Sequence, residues 1–290
     1  MQIFYARNSR IMLFAKKNTK NLQIRDIFCT FVCFCARMQC AHIYVAPKLL
    51  LQERMKIALI GYGKMGRMIE SVAVGRGHEI VCVIDPVASA QVMESDAFRS
   101  ADVAIEFSRP DAAEKNVREA IGQGVAVVSG TTGWNAAALR DELAAQVESG
   151  MWKEGCGHPG IIWSSNYSVG VNILFAVNKY LARLLQQTGG YQPSITEVHH
   201  IHKLDAPSGT AVTLREAIND QQLAISCPIE SIRKGEVPGI HEVKWESEAD
   251  ILTLKHEAKS RQGFALGAVL AAEWLCGKRG WHTMKEVIGI

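Results

Sequence analysis

The feature that most constrains the fold is a glycine-rich turn at residues 61–66, GYGKMG, which lies between two apolar runs. The runs KIALIGYG (56–63) and EIVCVID (79–85) are continuous in apolar residues, as strands buried on both faces are. The segment 64–77 between them has a helical pattern. A strand, a helix and a second strand within about thirty residues form a βαβ unit, which predicts a parallel sheet.

The alternation of strands and helices continues along the first half of the chain. We predict further strands at 100–108, 125–130 and 160–165, and helices at 111–124 and 135–150. This order is typical of an α/β fold, and here it predicts a Rossmann-type doubly wound parallel sheet in the N-terminal part.

The pattern changes from Val169 onward, where strands occur together without helices between them. We predict helices at 171–185, 208–220 and 263–278, a strand at 193–200, and extended runs at 231–236 and 241–258. The second half of the chain is therefore predicted to be a smaller α+β unit.

The glycines of the turn match the G-x-G-x-x-G pattern of dinucleotide-binding proteins. Gly61 permits the tight turn, Gly63 lets a pyrophosphate approach the backbone, and Gly66 lets helix and strand pack closely. Free N–H groups at the start of the helix favour phosphate. We predict a nucleotide site here, with a purely structural glycine turn as the alternative.

Asp85 ends the second predicted strand. An acidic side chain at this position accepts hydrogen bonds from the ribose hydroxyls of NAD and repels the 2′-phosphate of NADP. Pro86 and Val87 come next, so no arginine stands beside Asp85 to offset that repulsion. Lys64 and Arg67 lie near the turn and compensate only in part. We therefore expect NADH to be favoured over NADPH.

Two later strand ends carry polar turns, GTTGW (130–134) and SSNYS (164–168). Carboxyl ends of parallel strands meet at one edge of the sheet, where ligands bind, although helix capping by Ser or Thr is the alternative. The residues that we expect to bind the cofactor are Gly61, Tyr62, Gly63, Lys64, Met65, Gly66, Asp85, Gly130, Thr131, Thr132, Ser165, Asn166, Tyr167 and Ser168.

The densest cluster of titratable groups is EVHHIHKLDAPSGTA, residues 197–211. A helix that starts at residues 208–210 exposes backbone amides that suit a carboxylate. Lys203 adds a positive charge and a transferable proton. His199 and His200 fall on opposite faces of an extended strand, so we do not expect both to contact one ligand atom.

Two residues of the segment have simpler interpretations. His202 is expected to be a loop histidine, and Asp205 to shape the turn before the helix. A zinc site built from His199, His200 and His202 is the alternative, but HHxH lacks the helical H-E-x-x-H spacing of zinc hydrolases. We expect no metal.

The segment resembles the corresponding one of the 4-hydroxy-tetrahydrodipicolinate (dihydrodipicolinate) reductase family. The resemblance extends over residues 55–290 and includes GYGKMG, GTTGW, SSNYSVGVN and HEAKSRQGFALGAV. It implies reduction of a cyclic imine dicarboxylate to tetrahydrodipicolinate, with NADH or NADPH, in the diaminopimelate route of lysine biosynthesis. It also implies a dinucleotide-binding domain of residues 55–168 and 262–290, a substrate domain of residues 169–261 with a mixed sheet, and a homotetramer.

Carried over by motif position, the resemblance implies that His199 and Lys203 are the groups that move protons, and it leaves open which of them delivers the proton. The residues implied in substrate binding are His200, Ser208, Gly209, Thr210 and Arg261. The pair Asp85–Pro86 departs from the Glu-Arg pair of members that accept NADPH well.

Residues 1–54 form a basic leader outside the family pattern, with 9 Lys or Arg against 2 Asp or Glu. We expect it to be unstructured and interpret it as an upstream extension ahead of Met55; a transit peptide and a regulatory arm are the alternatives. The remaining residues hold 23 basic against 27 acidic side chains, which argues against a nucleic-acid partner.

The leader's apolar run CTFVCFCARMQCA (29–41) is far short of the ~20 residues of a spanning helix, so we expect no membrane partner. No CxxC pair occurs among the 8 cysteines, and we expect a cytoplasmic enzyme. Two rival functions remain: a dehydrogenase of another small acid, and a non-catalytic NAD-binding sensor.

Overall fold

The computed structural model describes residues 2–5, 12–15, 54–87, 91–152, 157–219 and 225–290. The chain divides into two units, residues 1–52 and 53–290. In the first unit, β1 (Gln2–Tyr5) pairs antiparallel with β2 (Met12–Ala15). The leader was expected to lack structure, and this pair differs from that expectation; both segments are rich in apolar and aromatic residues, which favour strands. The rest of the leader, including its cysteine-rich run, lies outside the described residues.

The larger sheet of the second unit has six parallel strands. They are β3 (Lys56–Ile60), β4 (Glu79–Ile84), β5 (Val103–Glu106), β6 (Ala126–Ser129), β7 (Ile161–Trp163) and β12 (Trp281–His282). Their order in the sheet is β12-β7-β6-β5-β3-β4. The direction of winding reverses between β3 and β5, which is the switch point where open α/β sheets bind ligands. The predicted parallel sheet is confirmed.

Helices cover both faces of this sheet. They are α1 (Lys64–Gly75), α2 (Asp96–Arg99), α3 (Pro110–Gly122), α4 (Ala136–Glu148), α7 (Gln262–Leu275) and α8 (Met284–Ile288). On one face, α1 and α7 share an apolar cluster with β3 and β5. On the other face, α3 and α4 pack against alternate residues of the same strands. Burial on both faces explains why the strands are apolar throughout.

A second, mixed sheet of four strands follows. Its strands are β8 (Gln192–His199), β9 (Ile229–Arg233), β10 (Ile240–Glu246) and β11 (Ile251–Glu257), in the order β11-β10-β8-β9. The pairs β10–β11 and β10–β8 are antiparallel, and β8–β9 is parallel. The helices α5 (Val169–Thr188) and α6 (Gly209–Asn219) pack against it around the buried Trp245 and Val243. The predicted α+β unit with a mixed sheet is confirmed.

The structure corrects one predicted element. The extended run 241–258 is not one strand but the hairpin β10–β11. Ser247 makes the turn, because its Oγ accepts the N–H groups of Ala249 and Asp250 at 3.2 and 3.1 Å, a local bond that competes with the sheet ladder. The predicted C-terminal tail also contains β12 and α8. Among the described residues, no helix combines the length and the apolar character that a membrane crossing needs.

Candidate active site

A cleft of about 810 Å³ holds part of the predicted site; the glycine turn, apart from Met65, and Asp85 lie outside its lining. Residues that follow β6 and β7 line it together with residues that follow β8. The predicted cofactor residues in its lining are Met65, Gly130, Thr132, Ser165, Asn166 and Tyr167; the predicted catalytic and substrate residues are His199, His200, Lys203, Ser208, Gly209 and Thr210. The two halves of the prediction, made from distant segments, therefore meet in one cavity.

The glycine turn has the backbone geometry that dinucleotide binding requires. Gly61 has φ +90°, and a Cβ there would lie 2.3 Å from the carbonyl oxygen of Phe107. A Cβ on Gly66 would lie 2.3 Å from the carbonyl oxygen of Gly61, whereas a Cβ on Gly63 would meet nothing within 4 Å. Gly63 caps α1 without any side-chain bond, so the first N–H groups of the helix remain available to phosphate. These residues fit a dinucleotide.

Asp85 is tied to the glycine turn. Its Oδ2 accepts the Tyr62 N–H at 2.8 Å and its Oδ1 accepts the Val87 N–H at 2.9 Å. The carboxylate therefore lies at the edge of the sheet beside the glycine turn. The Tyr62 hydroxyl donates to Glu70, and the guanidinium of Arg67 lies 5.6 Å from the centre of the Tyr62 ring. Lys64 begins α1 and is exposed.

The GTTGW turn is held by a buried carboxylate that the sequence did not single out. Glu106, at the end of β5, is fully buried and accepts hydroxyl protons from Ser129 and Thr131 at 2.6 and 2.7 Å. A Cβ on Gly130 would lie 2.1 Å from the ring of Phe107. Thr131 is thus part of the scaffold, and Thr132 is the threonine that lines the cleft. In the sequence, Glu106 could have been recognised as an acidic residue at the end of an apolar strand.

The SSNYS turn connects the cofactor side to the substrate side. Asn166 Nδ2 donates to the Thr210 hydroxyl at 3.1 Å. Tyr167 is buried, and its hydroxyl donates to the carbonyl oxygens of Ser129 and Ile162 at 2.8 and 3.0 Å. Ser168 caps α5, because its Oγ accepts the N–H three residues ahead. The capping alternative therefore holds for Ser168, while Ser165 and Asn166 line the cleft.

The strand β8 ends at His199, and the chain then turns so that His200 and Lys203 also line the cleft. Lys203 Nζ lies 2.7 Å from Asp205 Oδ1. Burial alone would raise the pKa of Asp205, but the hydrogen bond and the charge of Lys203, together with backbone hydrogen bonds, outweigh it and lower this pKa. Asp205 is therefore more than a turn residue, because it pairs with a proposed proton donor inside the cleft.

The other two histidines of the segment differ in environment. Burial, followed by the charge of Arg261, lowers the pKa of His200. His202 is exposed and pairs with Glu236 at 3.2 Å, as a loop histidine does. Arg261 precedes α7 and is absent from the lining of the cleft.

The start of α6 supplies backbone amides. Ser208 is buried; its Oγ accepts the Ala211 N–H at 3.2 Å and lies 3.3 Å from His241 Nε2. Its polar atoms are engaged within the fold, so Ser208 shapes the helix start rather than presenting a free hydroxyl. Gly209 is exposed, and the Thr210 hydroxyl retains its proton for a ligand while accepting from Asn166.

A second buried carboxylate, Glu197, lies beneath the segment. It is fully buried, and its Oε1 accepts the Ser208 N–H at 3.1 Å and the Arg233 Nη2 donor at 3.2 Å. Its Oε2 lies 3.1 Å from His199 Nδ1 and 4.0 Å from His241 Nε2. Burial raises the pKa of a carboxyl, but hydrogen bonds from Ser208 and Ser231 outweigh it and lower the pKa of Glu197 to about 2.

One ligand atom from each of Glu197, His199 and His241 lies within 4.8 Å of the others, a spacing that a cation can bridge. Arg233 already places a positive charge 3.2 Å from the same carboxylate, and this guanidinium repels a second cation. The predicted zinc trio is not the one that the structure brings together, because His202 points to Glu236 at the surface.

Comparison with known proteins agrees with this arrangement. Residues 55–167 match the family described as dihydrodipicolinate reductase, N-terminus, and residues 170–288 match its C-terminus. The chain belongs to the dihydrodipicolinate reductase family.

The matches to individual relatives extend over nearly the whole length of those relatives. The 4-hydroxy-tetrahydrodipicolinate reductase of Christiangramia forsetii is 41% identical over 246 residues, which are 81% of this chain and 98% of that protein. That of Ralstonia nicotianae is 32% identical over 81% of this chain and 100% of its own length. The solved dipicolinate-bound dihydrodipicolinate reductase of Paenisporosarcina sp. TG-14 superposes with a TM-score of 0.61 at 21% identity, over 81% of this chain and 99% of that one; this likeness concerns the fold.

Proposed function

We propose that this chain catalyses the NAD(P)H-dependent reduction of 4-hydroxy-tetrahydrodipicolinate to tetrahydrodipicolinate in the diaminopimelate route of lysine biosynthesis. The observation that carries the proposal is the shared cleft: loops after β6 and β7, expected to hold the nicotinamide end of the cofactor, face His199, Lys203 and the start of α6 in one cavity. Its family membership gives the substrate, since the curated relatives are named for this reaction.

The substrate carries two carboxylates, and the cleft offers donors for each. The amides at Gly209 and Thr210 would bind one carboxylate at the start of α6, where the helix dipole favours negative charge. Lys203 would bind the second carboxylate, because its ammonium group retains two donors beside the bond to Asp205. His200 lines the cleft, and Arg261 lies near enough to lower its pKa, so we place both near the second carboxylate.

Loss of the 4-hydroxyl of the substrate as water gives the conjugated imine, to which the reduced cofactor, when bound, would supply a hydride. The chain supplies the proton that balances it. His199 and Lys203 line the same cavity, and either can act as the general acid, an effect typically worth ~10²–10⁴-fold in rate. Fixing the dicarboxylate ring at two points also makes the reaction effectively intramolecular.

We infer that NADH is the favoured cofactor. Asp85 lies at the end of β4, bonded to the Tyr62 N–H of the glycine turn, in the position where a carboxylate accepts bonds from the adenosine ribose. Its negative charge disfavours the 2′-phosphate of NADPH. Lys64 and Arg67 lie on α1 and offset this in part.

We also propose that the enzyme is a cytoplasmic homotetramer that assembles through its second sheet. The outer side of α5 carries an apolar stripe at helical spacing, Ile173, Val177, Tyr180 and Leu184, all exposed, and the edge strand β11 exposes Ile251 and Leu252. Exposed apolar stripes of this kind mark interfaces. Light scattering of Tyr180→Asp, compared with wild type, tests the assembly: a wild-type monomer contradicts it.

The domain division that we propose remains residues 55–168 with 262–290, and residues 169–261. Its support is the packing of α7, whose residues Ala265, Ala268 and Leu275 share the apolar cluster of β3, whereas β8 and β10 share a separate cluster with α5 and α6. Short connections between the two parts permit closure on the substrate.

A coupled assay tests the function. The imine is generated from pyruvate and aspartate semialdehyde by its synthase, and NADH absorbance is followed. We expect rapid loss of absorbance with the wild type and with Lys115→Met, an exposed lysine on α3. Lys203→Met should lose turnover and keep NADH affinity. NADH binding without imine-dependent oxidation would indicate a sensor, and oxidation with another small acid in place of the imine would indicate a different dehydrogenase.

A further inference from the structure

A row of buried and half-buried polar side chains crosses the second sheet at the cleft. The strand register pairs His256 with His241, His241 with Glu197, and Glu197 with Ser231. The centre of this row is Glu197, which is fully buried. A buried carboxylate is costly unless its oxygens are satisfied and its charge is compensated. A carboxylate buried at the proposed reaction site therefore needs a functional explanation.

The two oxygens of Glu197 contact different parts of the site. Oε1 accepts the N–H of Ser208, the residue before α6, and a donor of Arg233. Oε2 lies 3.1 Å from Nδ1 of His199, the last residue of β8. One carboxylate therefore contacts both the proposed proton-transfer group and the helix start that is proposed to bind a substrate carboxylate.

The orientation of the His199 ring follows from its two neighbours. Nδ1 is buried and lies 3.1 Å from Glu197 Oε2, and neither atom has a hydrogen-bond partner of good geometry among the described residues. Nε2 lies on the side of Gly239, where an added Cβ would be only 3.2 Å from it. Gly239 lines the cleft, as His199 does. The carboxylate oxygen beside Nδ1 favours the neutral tautomer with its proton on Nδ1, which leaves Nε2 as the nitrogen for exchange with the cleft.

We propose that Glu197 is a positioning residue, which fixes the tautomer and the orientation of His199 through Nδ1 and holds the start of α6 in register with it through Ser208. The inference rests on the proposed function, because that function gives His199 a proton to transfer. The carboxylate also stabilises the imidazolium that forms when His199 holds a proton. Hydrogen bonds from Ser208 and Ser231 keep this carboxylate ionised.

The charge, and not only the hydrogen bonds, is needed for this role. In Glu197→Gln the amide oxygen can still accept from Ser208 and Arg233. The amide NH₂ would then face His199 Nδ1 and donate to it, so the ring proton would move to Nε2. A purely structural role for Glu197 predicts no such change. The titratable and charged groups around the His199 ring are Glu197, Lys203, Asp205, Arg233 and His241.

The test uses the full-length enzyme with Glu197→Gln and, as a matched control, Glu230→Gln, an exposed glutamate on the adjacent strand β9. For Glu197→Gln we expect kcat to fall about 10²-fold, with NADH affinity unchanged and the pH profile of kcat altered. ¹⁵N spectra of histidine-labelled protein should show His199 protonated at Nδ1 in the wild type and at Nε2 in Glu197→Gln. Glu230→Gln should match the wild type in every readout.

Four results would overturn the proposal. An unchanged kcat and tautomer in Glu197→Gln, with kcat lost in a parallel His199→Gln variant, would remove Glu197 and leave the proposed function intact. An unchanged kcat in His199→Gln would remove the premise that His199 transfers a proton. If Glu197→Gln does not fold, the wild-type spectrum still decides: a neutral ring protonated at Nε2 contradicts the proposal. Loss of activity on treatment with a chelator would also contradict it, because the trio would then bind a metal.

Discussion

Acid should destabilise this protein through His241, a buried histidine in the wall of the cleft. Burial first, and then the neighbouring His199, lower the pKa of His241 to about 3, although Glu197 opposes the shift. In the unfolded chain the same side chain titrates near pH 6.5. The folded state therefore keeps His241 neutral at a pH where the unfolded state binds a proton.

The sign and size of the effect follow by linkage. Because the pKa of the folded state is lowered, stability is complete above the unfolded value and falls as the pH decreases toward about 3. Between about pH 7.5 and 5 a single histidine shifted in this way contributes a loss of roughly 2 kcal/mol in the free energy of unfolding. Acid-sensitive activity should follow, since His241 lies against His199 with ring centres 4.9 Å apart.

The assay is urea unfolding followed by tryptophan fluorescence at both pH values, for the wild type and for His241→Gln. The wild type should lose about 2 kcal/mol more than His241→Gln between the two pH values. His202→Gln, which removes an exposed histidine, should behave as the wild type does. An equal loss in wild type and His241→Gln would refute the argument, because it would show that His241 is free to take a proton in the folded state.

Two further predictions concern packing and cofactor choice. Gly267→Ala places a Cβ 1.7 Å from the carbonyl oxygen of Tyr167, so we expect little soluble folded protein. The control Gly263→Ala, in the same helix, meets nothing within 4 Å and should retain or slightly raise the melting temperature. Equal stability of the two variants would contradict the packing of α7. Asp85→Asn removes the charge beside the glycine turn, so the ratio of kcat/KM for NADPH to that for NADH should rise about 10-fold or more. The control Asp111→Asn, on α3, should leave this ratio unchanged. An unaltered ratio in Asp85→Asn would show that Asp85 does not select the cofactor.

The fold could be predicted from the sequence because its strands are buried on both faces. The run KIALI is apolar without a break, and glycines and polar residues mark its end, so β3 and α1 were placed to within a few residues. The hairpin β10–β11 was missed because a Ser247 hydroxyl, and not a glycine or proline, makes its turn. Such a turn is ordinary in composition and depends on hydrogen bonds that only the folded chain shows.

The site was predictable where its residues lie in one segment and not where they come from different strands. Lys203, Gly209 and Thr210 stand together in the chain, and all line the cleft. Glu197 had a visible sign, because it lies two residues before His199 and so on the same face of a strand. His241 and Arg233 had none, since their contacts with Glu197 depend on the pairing of β8 with β10 and β9.

The most direct test of the central claim, that this cleft joins hydride from the cofactor with a proton from the chain, is the mass of the product. The coupled reaction is run with NADH that carries deuterium at the transferred position, in ordinary water, and the tetrahydrodipicolinate is analysed by mass spectrometry. The account predicts a product heavier by one deuterium, and, with unlabelled NADH in heavy water, incorporation of solvent deuterium at the site that His199 or Lys203 protonates. A product that gains no deuterium from the labelled cofactor would contradict the account.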